Sequence, residues 1–208
     1  MNKILIAFML FSFLTTVTSC KEKQGDEEKL VEVNNNLTVV DDSVSDELLE
    51  ILTKEEDLLT AEYTEVAVKK GIEVFNQINT FKEWAQVSTV EFTTEKGEGT
   101  AKLYYNKEMQ VDKIVVREYD KEHQSLNVYY LQDKKPVLVI NQSLVYNDDL
   151  TNKQFSKEES EYSKDCNYFV DGRLYAIVSN LDCGAPFAEE YVKEVEKDIL
   201  EEIKKLIP

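Results

Sequence analysis

Histidine is nearly absent from this 208-residue chain, basic residues are scarce, and a long apolar run is missing. Each shortage excludes something. The single histidine, His123, is the only base available to a Ser-His-Asp or Cys-His site, and it lies among charges in a turn-like stretch, DKEHQ. With no second cysteine pair to help it, a four-ligand zinc site cannot be completed. Lys and Arg number 24 against 41 Asp and Glu, for a formal net charge of -17, so the chain repels nucleic acid and anionic lipid headgroups. No segment reaches the roughly 18 to 20 consecutive apolar residues of a membrane-spanning helix. G-x-S-x-G, P-loop, G-x-G-x-x-G and H-E-x-x-H patterns do not occur. The abundant carboxylates carry no information about glycosidase-like pairs, because chance alone would supply one.

What is present begins at the N-terminus. Lys3 precedes an apolar run over residues 4–14, followed by small polar residues, which is the layout of a secretory signal. Val17-Thr18-Ser19-Cys20 then resembles the lipobox of bacterial lipoproteins: an aliphatic residue three before the cysteine and a small one directly before it. The resemblance implies cleavage before Cys20, a diacylglycerol on its sulfur and an acylated new amino terminus. Several acyl chains suffice for stable anchoring, whereas one is marginal. Lys21, rather than Asp, is similar to the sorting signature that lets Gram-negative lipoproteins reach the outer membrane. The expected divisions are a signal over 1–19, an acidic tether over 20–60 and a domain over 61–208. Without Lys3 the mature chain stands at -18, a charge that steers it toward basic partners.

Beyond Cys20 two cysteines remain, Cys166 and Cys183. An even pair in an exported chain reads as a disulfide, on the order of 3 kcal/mol for a loop of this length; two free thiols are the alternative. Residues 21–60 hold 13 acidic and 4 basic residues and no aromatic, a composition that stays solvated. Within them, Leu48, Leu49, Leu52 and Leu59 fall at near-helical spacing behind Ser45, a short docking helix or a frayed one.

From residue 61 the period is helical, with Val68, Ile72, Phe75 and Ile78 on one stripe. Thr80-Phe81-Lys82-Glu83 has the form of a capping box and predicts a second short helix through Trp84. After Ser88 the pattern becomes strand-like, punctuated by EKGEG, NKEM, DKEH, QDKK, NDD and VDGR, the spacing of an antiparallel meander. Asp171-Gly172 is the sharpest hairpin signal. At the C-terminus Val192, Val195, Ile199, Ile203 and Leu206 form an apolar face, with Glu early and Lys late to suit the helix dipole. The predicted fold is α+β: an antiparallel meander packed on one face by an N-terminal and a C-terminal amphipathic helix.

Tyrosine is the one excess, with nine of 11 between residues 104 and 175. Adjacent tyrosines on a strand point to opposite faces, so Tyr104, Tyr129 and Tyr168 are candidates for a ligand surface holding peptides or sugars; β-propensity and cross-strand pairing alone are the simpler explanation. The loop NDDLTNKQ has oxygen ligands but lacks the EF-hand order. The arrangement is similar to that of small exported lipoproteins of Gram-negative bacteria, a resemblance that brings no catalytic residue. The expectation is a non-enzymatic lipoprotein of the cell envelope, on the outer membrane, needing no cofactor or metal and binding another envelope component through its sheet. The rivals are an inhibitor of a basic extracellular enzyme such as a lysozyme, and a carboxylate-based hydrolase.

Overall fold

A computed structural model describes residues 51–52, 58–60, 65–93, 97–181 and 187–207. The stretches read as a signal and as a lipobox with Cys20, most of the acidic stretch, and Cys183 lie outside the described residues. Seven strands form one open sheet: β1 (Gln86–Thr93), β2 (Glu98–Tyr105), β3 (Val111–Tyr119), β4 (His123–Gln132), β5 (Lys135–Val145), β6 (Glu161–Val170) and β7 (Arg173–Ser179). Their order in the sheet is their order in the chain, and every neighbouring pair is antiparallel.

Turn chemistry explains the meander. Asp171 and Gly172 have φ of 52° and 82°, the two positive values that a two-residue type I′ hairpin requires. Asp133 and Lys134, at 52° and 64°, make the same turn without a glycine. In the NKEM turn Met109 takes the left-handed conformation, and the Asn106 side chain accepts bonds from the amides of Glu108 and Gln110. The wider NDD loop contains a short 3-10 turn, Lys157–Glu159. Its Asp149 Oδ1 accepts from both the amide and the hydroxyl of Thr151, which shapes the loop from within.

Two helices are described, α1 (Glu65–Asn79) and α2 (Glu189–Leu206). α1 packs on β4, β5 and β6 through Val68, Phe75 and Ile78, and α2 meets β7 with Ile199 and Ile203 buried. They sit on opposite faces, where the sequence predicted one. The reason lies in the central strands. Val128, Tyr130, Leu138 and Tyr168 belong to the core under α1, whereas Tyr129, Leu131, Val139 and Phe169 belong to the core under α2. Runs such as VYYL and PVLVI are apolar on both faces, the mark of strands covered from both sides. Two helices on one face would have left the second set in water.

The short helix expected through Trp84 is not formed; residues 80–85 are irregular. The Thr80 hydroxyl donates to the Gln77 carbonyl at 2.7 Å, closing α1 instead of opening a new helix. Leu52, from the stretch read as tether, is buried in the core under α1, and Ile51, Leu58 and Leu59 pack against it. None of these four residues is helical. α1 lies close against the sheet at Gly71, where an added Cβ would lie 2.8 Å from the Tyr168 ring. Because α1 rests on β4–β6, the same face of β1–β3 carries no helix among the described residues.

Candidate functional site

That uncovered part of the sheet holds a cleft of about 280 Å³, close to the lower end of small-ligand sites, about 300 Å³. Its floor follows from register. Thr100 stands opposite Arg117, Lys102 opposite Val115 and Tyr104 opposite Lys113. The intervening Ala101, Leu103, Ile114 and Val116 face the other core, so alternation delivers three cations and a tyrosine to one surface.

The wall comes from the irregular segment after α1. The Ala85 amide donates to the Tyr105 carbonyl at 3.0 Å, which ties this segment to the end of β2. Trp84 is thereby set between Phe81, at 5.2 Å between ring centroids, and Tyr104, at 5.3 Å. Such tilted and edge contacts suit the ring quadrupoles. The last turn of α1 adds Ile78 and Asn79.

The three cations are held differently. Lys113 is buried; its ammonium donates to Asn79 Oδ1 at 3.1 Å and lies 5.0 Å from the centre of the Tyr130 ring. Asn79 in turn donates from Nδ2 to the Tyr130 hydroxyl at 3.3 Å. Burial raises the Tyr130 pKa to about 12 against the opposing bond from Asn79, so the phenol stays neutral beside the ammonium. Burial also raises the Tyr104 phenol. Arg117 donates from Nη1 to the Leu52 carbonyl at 2.8 Å, and the Leu52 amide donates to Gln124 Oε1 at 3.1 Å, fixing residues 51–52 beside the cleft. Lys102 is exposed and forms no ion pair among the described residues. No carboxylate is among the described residues that line the cleft.

Of the residues singled out from the sequence, Tyr104 is part of this site. Tyr129 and Tyr168 are not: both are fully buried, on opposite faces of the sheet, so the three tyrosines do not share a surface. The Tyr168 hydroxyl donates to the Leu59 carbonyl at 2.5 Å. Burial, with Glu202 and Glu118 nearby, holds the Tyr129 phenol well above its usual range. Cys166 is a buried free thiol beneath α1, its pKa raised by burial; its expected partner, Cys183, lies outside the described residues. His123 opens β4, and its Nδ1 sits 2.7 Å from Asp120 Oδ2. Among the described residues no group of three or more His, Cys, Asp or Glu is placed to hold a metal.

Lys102, Lys113, Arg117, Phe81, Trp84 and Asn79 were not foreseen. A signal existed: AKLYY and DKIVVREY put cations on alternate positions of two strands joined by a tight turn, and register makes such positions neighbours. The chain matches no protein-family model, and neither the curated proteins nor the solved structures contain a match. What the fold defines is therefore a class: an α+β domain whose open meander carries a helix on each face and one cationic, aromatic cleft beside α1.

Proposed function

We propose that this protein is a lipid-anchored, non-enzymatic binding protein of the cell envelope, held on the outer membrane of a Gram-negative bacterium by acyl chains on Cys20. Its sheet binds another envelope component. The observation that carries the binding role is the cleft on the uncovered part of the α1 face. Its side chains, three rings with Lys102, Lys113 and Arg117, are groups for holding a ligand in place. The anchor is supported by the run Val17-Thr18-Ser19-Cys20.

Two measurements test this reading. Cells expressing the full chain and fed an alkyne-bearing fatty acid should label it, and Cys20→Ala should lose both the label and membrane fractionation. A Cys20→Ala protein that still sediments with membranes sinks the anchor. A photo-reactive residue at Thr89, on the exposed part of the same face, should crosslink to envelope material, and one at Lys157, in the distant 3-10 turn, should not. Equal crosslinking from both sites argues against the sheet as the binding surface.

A further inference from the structure

We infer that the polar half of the α2 face is a second binding surface, taking a neutral glycan that lies across β4, β5 and β6. It is on the other side of the sheet from the cleft and independent of it. Beneath α2 the strands align Tyr129, Val139 and Asn167 in one row; two residues along, on the same face, stand Asn127, Asn141 and Asp165, and two further on Ser125, Ser143 and Ser163. The next row is tall again, His123, Val145 and Glu161. Three serines between two rows of larger side chains leave a groove that runs across the strands, and the six polar residues of its floor and upper wall are half-buried. Solvation alone does not account for them, because Asn and Asp are among the residues that strands disfavour.

The amides of the upper wall are held in place. Asn167 Nδ2 donates to Asn141 Oδ1 at 2.7 Å, and Asn141 Nδ2 donates to Asn127 Oδ1 at 2.9 Å. Asn167 is 1% exposed and its own Oδ1 has no hydrogen-bond partner, so the series ends on a buried acceptor that the fold leaves unsatisfied. Such acceptors are rare in folded proteins, and this one lies at the edge of the groove's polar wall. Glu118 Oε2 accepts from the Ser125 hydroxyl at 3.3 Å, and neither Glu118 nor Asp165 forms an ion pair among the described residues. Amides, hydroxyls and carboxylates at fixed points both donate to and accept from sugar hydroxyls, while the two carboxylates turn anionic glycans away. Tyr191 of α2 is 44% exposed and stacks on Phe187 with ring centres 5.4 Å apart, and Asp165 is near enough to add to the effect of burial in raising its phenol pKa. At that end of the groove its ring offers an apolar surface to the C–H side of a sugar. Strands lie about 4.8 Å apart, close to the spacing at which rings follow one another in a glycan, so successive rings meet successive strands.

The full chain in a zwitterionic detergent would be titrated by calorimetry with maltotriose and the N-acetylglucosamine trimer, beside glucose, trigalacturonate and the cationic glucosamine trimer. At least one neutral trimer should bind saturably, at least about ten-fold more tightly than the other three probes, and its affinity should hold at about 0.5 M salt. Ser143→Gln and Ser163→Gln, each filling the groove from a half-buried position, should keep the fold by circular dichroism and weaken that trimer about ten-fold. Thr89→Gln, exposed on the opposite face, should leave it unchanged. In the parent protein the trimer should move the amide resonances of Ser143 and Ser163 and not that of Thr89, a readout that needs no variant to fold. Failure of both neutral trimers to bind, full affinity in a folded serine variant, an equal loss in Thr89→Gln, or resonance shifts that spare both serines overturns the inference. Tighter binding of either charged trimer overturns the neutral ligand, and glucose binding as well as the trimers overturns the groove across the strands.

Discussion

Replacing Gly71 with alanine sets two known effects against each other, and the structure decides between them. In the middle of a helix, Gly→Ala stabilises by about 1 kcal/mol. At Gly71 the new methyl would stand 2.8 Å from Tyr168 Cδ1, 3.0 Å from Cε1 and 3.7 Å from Leu138 Cβ. Whether the ring can give way fixes the sign. It cannot do so easily: the Tyr168 ring has no exposed surface, and its hydroxyl is held by the Leu59 carbonyl at 2.5 Å. α1 must then lift, which strips contact from Val68 and Phe75 on the same stripe. Overpacking of this kind costs about 1–3 kcal/mol. With the ring pinned, the upper part of that range applies, for a net loss of about 2 kcal/mol. In a chain of this size that lowers Tm by about 4–8 °C. Urea unfolding should show an earlier midpoint with an unchanged slope. In a Tyr168→Phe background, which frees the ring from Leu59, the cost of Gly71→Ala should fall by at least about 0.5 kcal/mol. A Gly71→Ala protein more stable than the parent would refute the close seating of α1 on β5 and β6.

Glu196 accepts from the Leu174 amide at 2.7 Å and meets Arg173 Nε at 2.7 Å, joining α2 to β7. Glu196→Ala should cost about 2 kcal/mol by leaving a partly buried amide unpaired, while Arg173→Ala, at a side chain 74% exposed, should cost under about 0.5 kcal/mol; equal losses would contradict this assignment. Lys134 sits at φ 64° in a type I′ turn, so Lys134→Gly should stabilise by about 1 kcal/mol, and a lower urea midpoint would show that its side chain matters more than its backbone. For Asp120, burial raises the carboxyl pKa, but bonds from the Glu122 and His123 amides and the His123 side chain outweigh it and the net shift is downward. Its contribution is therefore complete above the ordinary carboxylate pKa and lost as pH falls through the depressed value. The stability gap between the parent and Asp120→Asn should narrow as pH drops from about 4 toward about 2; a gap constant with pH in urea titrations would rule out the charge as its source.

The meander was legible because its turns are chemical. Asp171-Gly172 can hardly be anything but a hairpin, and each of the six polar clusters does separate strands. Both helical stripes were readable from spacing, as Ile199 and Ile203 show. Which face each helix covers was not, although Tyr129-Tyr130 held the clue: two adjacent large residues without exposed surface demand cover on both sides. The Thr80 box misled because Thr80 closes α1: its amide donates to the Asn76 carbonyl and its hydroxyl to the Gln77 carbonyl. The cleft was the least legible feature. Lys102 and Lys113 are ordinary strand lysines until the register of β2 on β3 sets them on one face, and register is a property of two segments at once.

A sheet whose strand order equals its chain order has a consequence in time. A chain that emerges N-terminus first always finds the partner of its next strand already present, so the sheet can grow by simple addition from β1 to β7. α1 cannot follow that schedule. It precedes every strand, yet its seat is built from β4, β5 and β6, and the bond that anchors its approach, Tyr168 to Leu59, spans 109 residues. The helix that is made first is thus seated late: the apolar stripe of Val68, Phe75 and Ile78 has nothing to rest on until β4 has formed, and its seat is incomplete until β6 has paired. A nascent chain must protect that stripe for most of its own length.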